Sequence, residues 1–156
     1  MPATKLKAYL DGNGVKYVCI RHSPAFTAQE IAASSHISGR DFAKTVVVKL
    51  AGTTALLVLP ANRKLVLSDL RDLLGTPDVQ LAAEDEFQEL FPDCQLGAMP
   101  PFGNLYGLPV YLAPSLTEEP EIAFNAGTHH EVIKMSFTDF VELVNPIVMD
   151  FATTST

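Results

Sequence analysis

Two apolar, β-branched runs, Lys44 to Leu50 and Thr54 to Leu59, flank the short segment Ala51-Gly52-Thr53, and that pattern predicts a tight β-hairpin. Runs this apolar have no face suited to water, so both strands belong in the middle of a sheet that is covered on both sides. The elements around the hairpin alternate irregularly. Thr4 is the expected cap of a short helix over Lys5 to Leu10, with Gly12-Asn13-Gly14 ending it, and Val15 to Ile20 reads as a strand. Thr27-Ala28-Gln29-Glu30 has capping-box spacing and starts a helix through about Ser34. Ser68 is the expected cap of a helix over Asp69 to Leu74, followed by a strand at Val79 to Leu81 and an acid-rich helix from Glu84 to Phe91, ended by Pro92. Strands follow near Pro109 to Leu112, Glu121 to Asn125 and Val132 to Met135. A helix over Phe137 to Val144 stops at Asn145-Pro146, and Ile147 to Phe151 returns as an edge strand before a polar tail from about residue 152. The expectation is an α/β fold in one domain spanning residues 1 to 156, with a mixed sheet and flanking helices.

Several functional classes fall away. No stretch approaches the roughly 18 apolar residues of a membrane span. Met1 to Leu10 interleaves Lys5 and Lys7 with apolar residues, unlike a signal peptide, so a cytoplasmic protein without a membrane partner is expected. Cys19 and Cys94 lie far apart and read as buried free thiols. Serine-hydrolase elbow, phosphate-binding loop, dinucleotide fingerprint and zincin motifs are absent. His129 and His130 are adjacent, so in an extended segment they point to opposite faces, and no metal site is expected.

The formal charge of −7 is unevenly distributed. Residues 1–71 hold ten Lys and Arg against four acids, whereas residues 72–156 hold only Lys134 against fourteen acids. Arg21, Arg40, Lys44, Lys49, Arg63 and Lys64 can form a basic face for a short phosphate segment, or a solvated surface with no partner.

Three segments are candidates for chemistry. Lys44 opens the first hairpin strand, where its ammonium can meet a phosphate or carboxylate while its stem packs on the sheet; a snorkelling surface lysine fits the same position. Gly97-Ala98-Met99-Pro100-Pro101-Phe102-Gly103 can bring rigid backbone to a ligand or form an ordinary turn. Asn125-Ala126-Gly127-Thr128-His129 is a small-residue corner between two strands, with a hairpin turn as the plain alternative.

Together, His22-Ser23-Pro24 with Thr27, Ala43-Lys44-Thr45-Val46-Val47-Val48, the Gly97 to Gly103 loop and Ala126-Gly127-Thr128 resemble, over nearly the whole chain, the YbaK and prolyl-tRNA synthetase insertion-domain family of aminoacyl-tRNA deacylases. The resemblance implies a YbaK-like, strongly bent mixed sheet and a freestanding hydrolase that deacylates a misacylated tRNA. It assigns Lys44 to the tRNA acceptor end and Gly97 to the loop whose backbone positions the ester. It also places His22, Phe26, Thr27, Thr45, Ala98, Met99, Pro100, Pro101, Gly127 and His129 around the substrate, with Phe26, Phe42 and Met99 as candidate walls. The implied mechanism needs no cofactor and no metal: a ribose hydroxyl of the terminal adenosine helps to activate water. An aminoacyl-tRNA synthetase is a candidate partner. The family includes editors of alanyl-, cysteinyl-, seryl- and threonyl-tRNA, and Thr45 stands where one alanine-editing subgroup has Asn. A non-catalytic adaptor binding tRNA or a synthetase is the alternative, and a small-molecule binding protein is a third.

Overall fold

The computed structural model describes residues 4–21, 40–83, 88–91, 94–95, 98–129 and 131–154. The hairpin forms as expected: β2 (Phe42–Leu50) and β3 (Thr53–Pro60) pair antiparallel from Ala43↔Pro60 to Leu50↔Thr53. Ala51 and Gly52 alone make the turn, at φ 49° and 86°, so Thr53 belongs to the strand. Both turn residues are left-handed, which matches the twist of the flanking strands.

The remaining elements build outward. α1 (Thr4–Gly12) begins at Thr4, so Thr4 lies within the helix and does not stand before it. β1 (Tyr17–Arg21) follows, and β4 (Arg63–Leu65) is a short strand that the pattern of apolar residues did not reveal. α2 (Leu67–Leu74) starts one residue before Ser68, so the cap position falls on Val66, which makes no side-chain capping bond; Gly75, at φ 67°, closes the helix. β5 (Val79–Leu81), β6 (Val110–Leu112), β7 (Glu121–Asn125) and β8 (Glu131–Ser136) follow, then α3 (Phe137–Val144), β9 (Ile147–Val148) and β10 (Ala152–Thr154). Ser136 caps α3 by accepting a hydrogen bond from the Asp139 N–H, and Asn145 ends it at φ 52°. The expected polar tail is therefore partly a strand: β10 pairs with β4 in a separate ribbon. The expected helix beginning at Thr27 lies outside the described residues, and residues 88–90 are the described helical part of the acid-rich segment.

The main sheet has eight strands in the order β1-β8-β7-β2-β3-β6-β9, with β5 also on β2. It is mixed: β2 runs parallel to β7 and β3 parallel to β6, while the other neighbours except β6 and β9 are antiparallel. One face is covered by α1 and α3 through Leu6, Leu10, Phe140 and Val144, around a cluster in which Phe102 meets Phe124 at 5.4 Å and Phe140 at 5.5 Å. The other face carries Val48, Leu57, Leu59, Leu70 of α2 and Phe151. Burying six phenylalanines below 3% exposure supplies much of the apolar driving force, at about 2 kcal/mol or more for each such side chain.

Candidate active site

β2 has β3 along one side for its whole paired length, but its other side is shared. β7 pairs only with Phe42 and Ala43, and β5 only with Val48 to Leu50. The Ala82 N–H donates to the Val47 carbonyl at 3.0 Å, which leaves Lys44, Thr45 and Val46 bordering a split in the sheet. β7 leaves the ladder after Asn125, next to this split, and crevices at the carboxyl ends of strands are where open α/β sheets bind ligands.

Lys44 and Thr45 leave β2 on opposite faces, as neighbours in a strand must. Lys44 follows the face of Val46 and Val48, opposite Leu59, and Thr45 follows the face of Ala43 and Val47. The split, open between the two faces, is what they share. Lys44 is half-buried, and its pKa is lowered, first by burial and then by the charge of Lys64. Among the described residues it forms no ion pair. A desolvated ammonium beside a second cation lacks a compensating anion. The Thr45 hydroxyl and the Asn125 side-chain carbonyl are also buried without a hydrogen-bond partner. Buried polar atoms of this kind ordinarily find partners, so three unmet groups at one split indicate a place for a polar, anionic ligand.

The loop expected to approach a ligand forms a buried wall. Ala98, Met99, Pro100, Pro101, Phe102 and Gly103 are all buried, and Met99 and Phe102 enter the aromatic cluster. Gly103 is a packing glycine: a Cβ there would run into the Leu108 carbonyl and the Val110 side chain. The second corner meets this wall directly. Gly127, at φ 96°, donates its N–H to the Ala98 carbonyl at 2.9 Å, and its own carbonyl accepts from the Gln95 N–H at 2.8 Å. The structure thus brings Ala98, Met99, Pro100 and Pro101 together with Gly127 and half-buried His129. His22, Phe26, Thr27 and Gly97 lie outside the described residues, as does His130.

The expected basic face separates into unlike groups. Arg21 pairs with Glu131 at 3.3 Å, and Lys49 sits toward the Ala51-Gly52 turn, five residues beyond Lys44. Lys64 belongs with Lys44, while Arg63 lines a cavity of about 360 Å³ with Ser115, Glu118 and Asp150. Cys19 is exposed and Cys94 half-buried, where burial of both was expected. Asn125 and Lys64 were marked in the sequence only as parts of a corner and of a basic face, and Gln95 was not singled out at all; the gap between β7 and β5 along β2 that Asn125 and Lys64 flank, and the bonds that tie Gln95 to Gly127 and His129, exist only in the assembled fold.

Residues 22–143 match the family described as the aminoacyl-tRNA editing domain, and the chain belongs to that family. It is 28% identical to the multifunctional Ser/Thr-tRNA deacylase ProXp-y of Escherichia coli strain K12, over 97% of this chain and 93% of the relative. A solved structure assigned as a trans-editing enzyme for prolyl tRNA synthetase superposes with a TM-score of 0.81 at 25% identity, covering 97% of each chain. A solved hypothetical protein gives 0.83 at 23% identity, over 96% of this chain and 99% of that one, a likeness of fold. No described helix is long and apolar enough to cross a membrane.

Proposed function

We propose that this chain hydrolyses the ester linking a wrong amino acid to tRNA, with the acceptor end of the misacylated tRNA entering the split between β2 and β7. The observation that carries this reading is Lys44: half-buried, depressed in pKa and without an acid partner among the described residues, it gains a counter-charge when an acceptor-end phosphate arrives. An aminoacyl ester is already reactive, so catalysis consists of holding it beside water and stabilising the oxyanion. The buried wall from Ala98 to Pro101 serves as the fixed side of that site. The prolines donate nothing, and the Met99 N–H, which makes no hydrogen bond among the described residues, is a candidate donor to the developing oxyanion. A ribose hydroxyl of the terminal adenosine acts as the proton acceptor for water, so neither a protein nucleophile nor a metal is required. His22, Phe26 and Thr27 complete the pocket in this proposal, and Gly97 admits the ester to the loop backbone.

The acyl group we assign is small and hydroxylated, seryl or threonyl. Thr45 Oγ1 and Asn125 Oδ1 are buried polar atoms without partners, and either one can bond a substrate hydroxyl; a site built to bond a hydroxyl discriminates strongly against analogues lacking it. An aminoacyl-tRNA synthetase that generates such errors is the natural protein partner. A deacylation assay with a panel of misacylated tRNAs tests the proposal: turnover of seryl- or threonyl-tRNA is expected. Tight tRNA binding without turnover of any ester would establish the adaptor instead.

A further inference from the structure

Four hydrogen bonds hold Gln95, the wall and the corner together, and Gln95 takes part in three of them. Its N–H donates to the Gly127 carbonyl at 2.8 Å, its carbonyl accepts from the Ala98 N–H at 3.0 Å, and its side-chain Oε1 accepts from the His129 N–H at 2.8 Å. The fourth runs from the Gly127 N–H to the Ala98 carbonyl at 2.9 Å. The His129 donor fixes the amide orientation of Gln95, since only its oxygen can accept. Three of these bonds are backbone to backbone and survive any substitution of the side chain. The bond from the His129 N–H spans 34 positions of sequence and is the one that ends on the Gln95 side chain.

We infer that Gln95 is a positioning residue for the reaction proposed above: its side chain locks the Gly127–His129 corner against the Ala98–Pro101 wall and so sets the width of the space left for the acyl group. The inference rests on the deacylase reading. The reason is geometric. Met99 is held in the aromatic cluster and cannot shift to follow the substrate, so the corner is the adjustable side, and His129 is its residue nearest the solvent. Releasing the His129 amide lets this side move outward, and small displacements of a positioning group weaken turnover more than binding. Lys44, which lies outside these contacts, keeps its hold on the acceptor end.

The test compares Gln95→Ala with Gln95→Glu, which retains an oxygen acceptor at the same reach. Each is assayed for kcat and KM on acceptor-stem minihelices carrying serine or phenylalanine, and for hydrogen exchange at the His129 amide. For Gln95→Ala the expectation is a kcat on the seryl substrate about fivefold lower, the worth of one neutral hydrogen bond, with KM within about twofold. Discrimination against the phenylalanyl ester should narrow, and the His129 amide should exchange faster. Gln95→Glu should restore all three. Unchanged discrimination and exchange in Gln95→Ala, or failure of Gln95→Glu to restore them, overturns the inference. If the unaltered protein turns over neither ester, the deacylase reading fails, and unchanged exchange at His129 would then independently remove the clamp.

Discussion

Two groups of cations sit near opposite ends of the β7 to β8 turn region, and they are built in contrary ways. At the first, Glu131 is buried, with its carboxylate 3.4 Å from Lys7 and 3.3 Å from Arg21, both of which reach water. Burial opposes the charge of Lys7, but Cys19 and Glu131 outweigh it and raise its pKa. At the second, Lys44 has burial and Lys64 acting against it and no carboxylate among the described residues to offset them. The first group is complete within the chain and ties α1 and β1 to the start of β8. The second is incomplete until something anionic arrives. Charge alone does not mark a site; uncompensated charge beside unmet hydrogen-bonding groups does.

This contrast makes Lys44→Met the most damaging single change to activity. It keeps the stem and removes the ammonium, so kcat/KM for a misacylated minihelix should fall by about 10- to 100-fold, the range for a hydrogen bond to a charged group, while thermal unfolding shifts little. Full activity in this variant would break the distinction between the two groups. Glu131→Ala should do the reverse. Loss of its two ion-paired bonds should lower unfolding stability by about 1–2 kcal/mol in urea titrations, with a smaller change in kcat/KM than Lys44→Met produces. Gly103→Ala belongs with the structural group as well: because the added Cβ meets backbone at Leu108, stability and activity should fall together.

Paired neutralisation of Arg63 and Lys64 should be milder. KM for tRNA should rise by about threefold to tenfold and its salt dependence should flatten, with kcat little changed, since solvent-facing cations steer and hold the phosphates. A change confined to kcat would remove β4 from the tRNA path.

The smallest expected effect is in the pH dependence of stability, where the two lysines have opposite signs. Lys44 titrates below the ordinary lysine value of 10.5 in the folded protein. The unfolded chain therefore binds more protons in the window between the lowered value and 10.5, and folding gains stability as pH rises through it. Lys7 titrates above 10.5, so its contribution is fully present below that value and fades above it. Relative to the unaltered protein, Lys44→Met should be at least as stable at pH 7, and the difference should narrow as pH approaches 10. Lys7→Met should be less stable at both pH values. Identical pH profiles for the two variants would dissolve the comparison.

Where signals were local, the sequence foretold the structure closely. Val–Thr–Leu runs around a glycine turn produced β2 and β3, Glu121–Asn125 formed the strand expected there, and Phe137–Val144 matched its helix to the residue. Errors gathered where a tertiary contact outweighed a local preference. Ser68 was passed over as a cap because α2 begins at Leu67, and the polar Ala152–Thr154 became a strand because β4 offered it an open edge. Cys19 was expected inside, yet β1 lies at the sheet edge and leaves it exposed.

The same division holds for the candidate site. Lys44, the Gly97 to Gly103 loop and the Ala126–Thr128 corner could be picked out from residue types and spacing, since a lysine opening an apolar strand, consecutive prolines and small turn residues each limit the backbone by themselves. That β2 is left unpaired between β7 and β5, that Asn125 and Thr45 are buried there with unmet polar atoms, and that Gln95 joins the wall to the corner across 34 positions are decisions of strand order and register. Those depend on which edges the other strands occupy, and no window of the sequence holds that information, because pairing energies are set between segments that are distant along the chain.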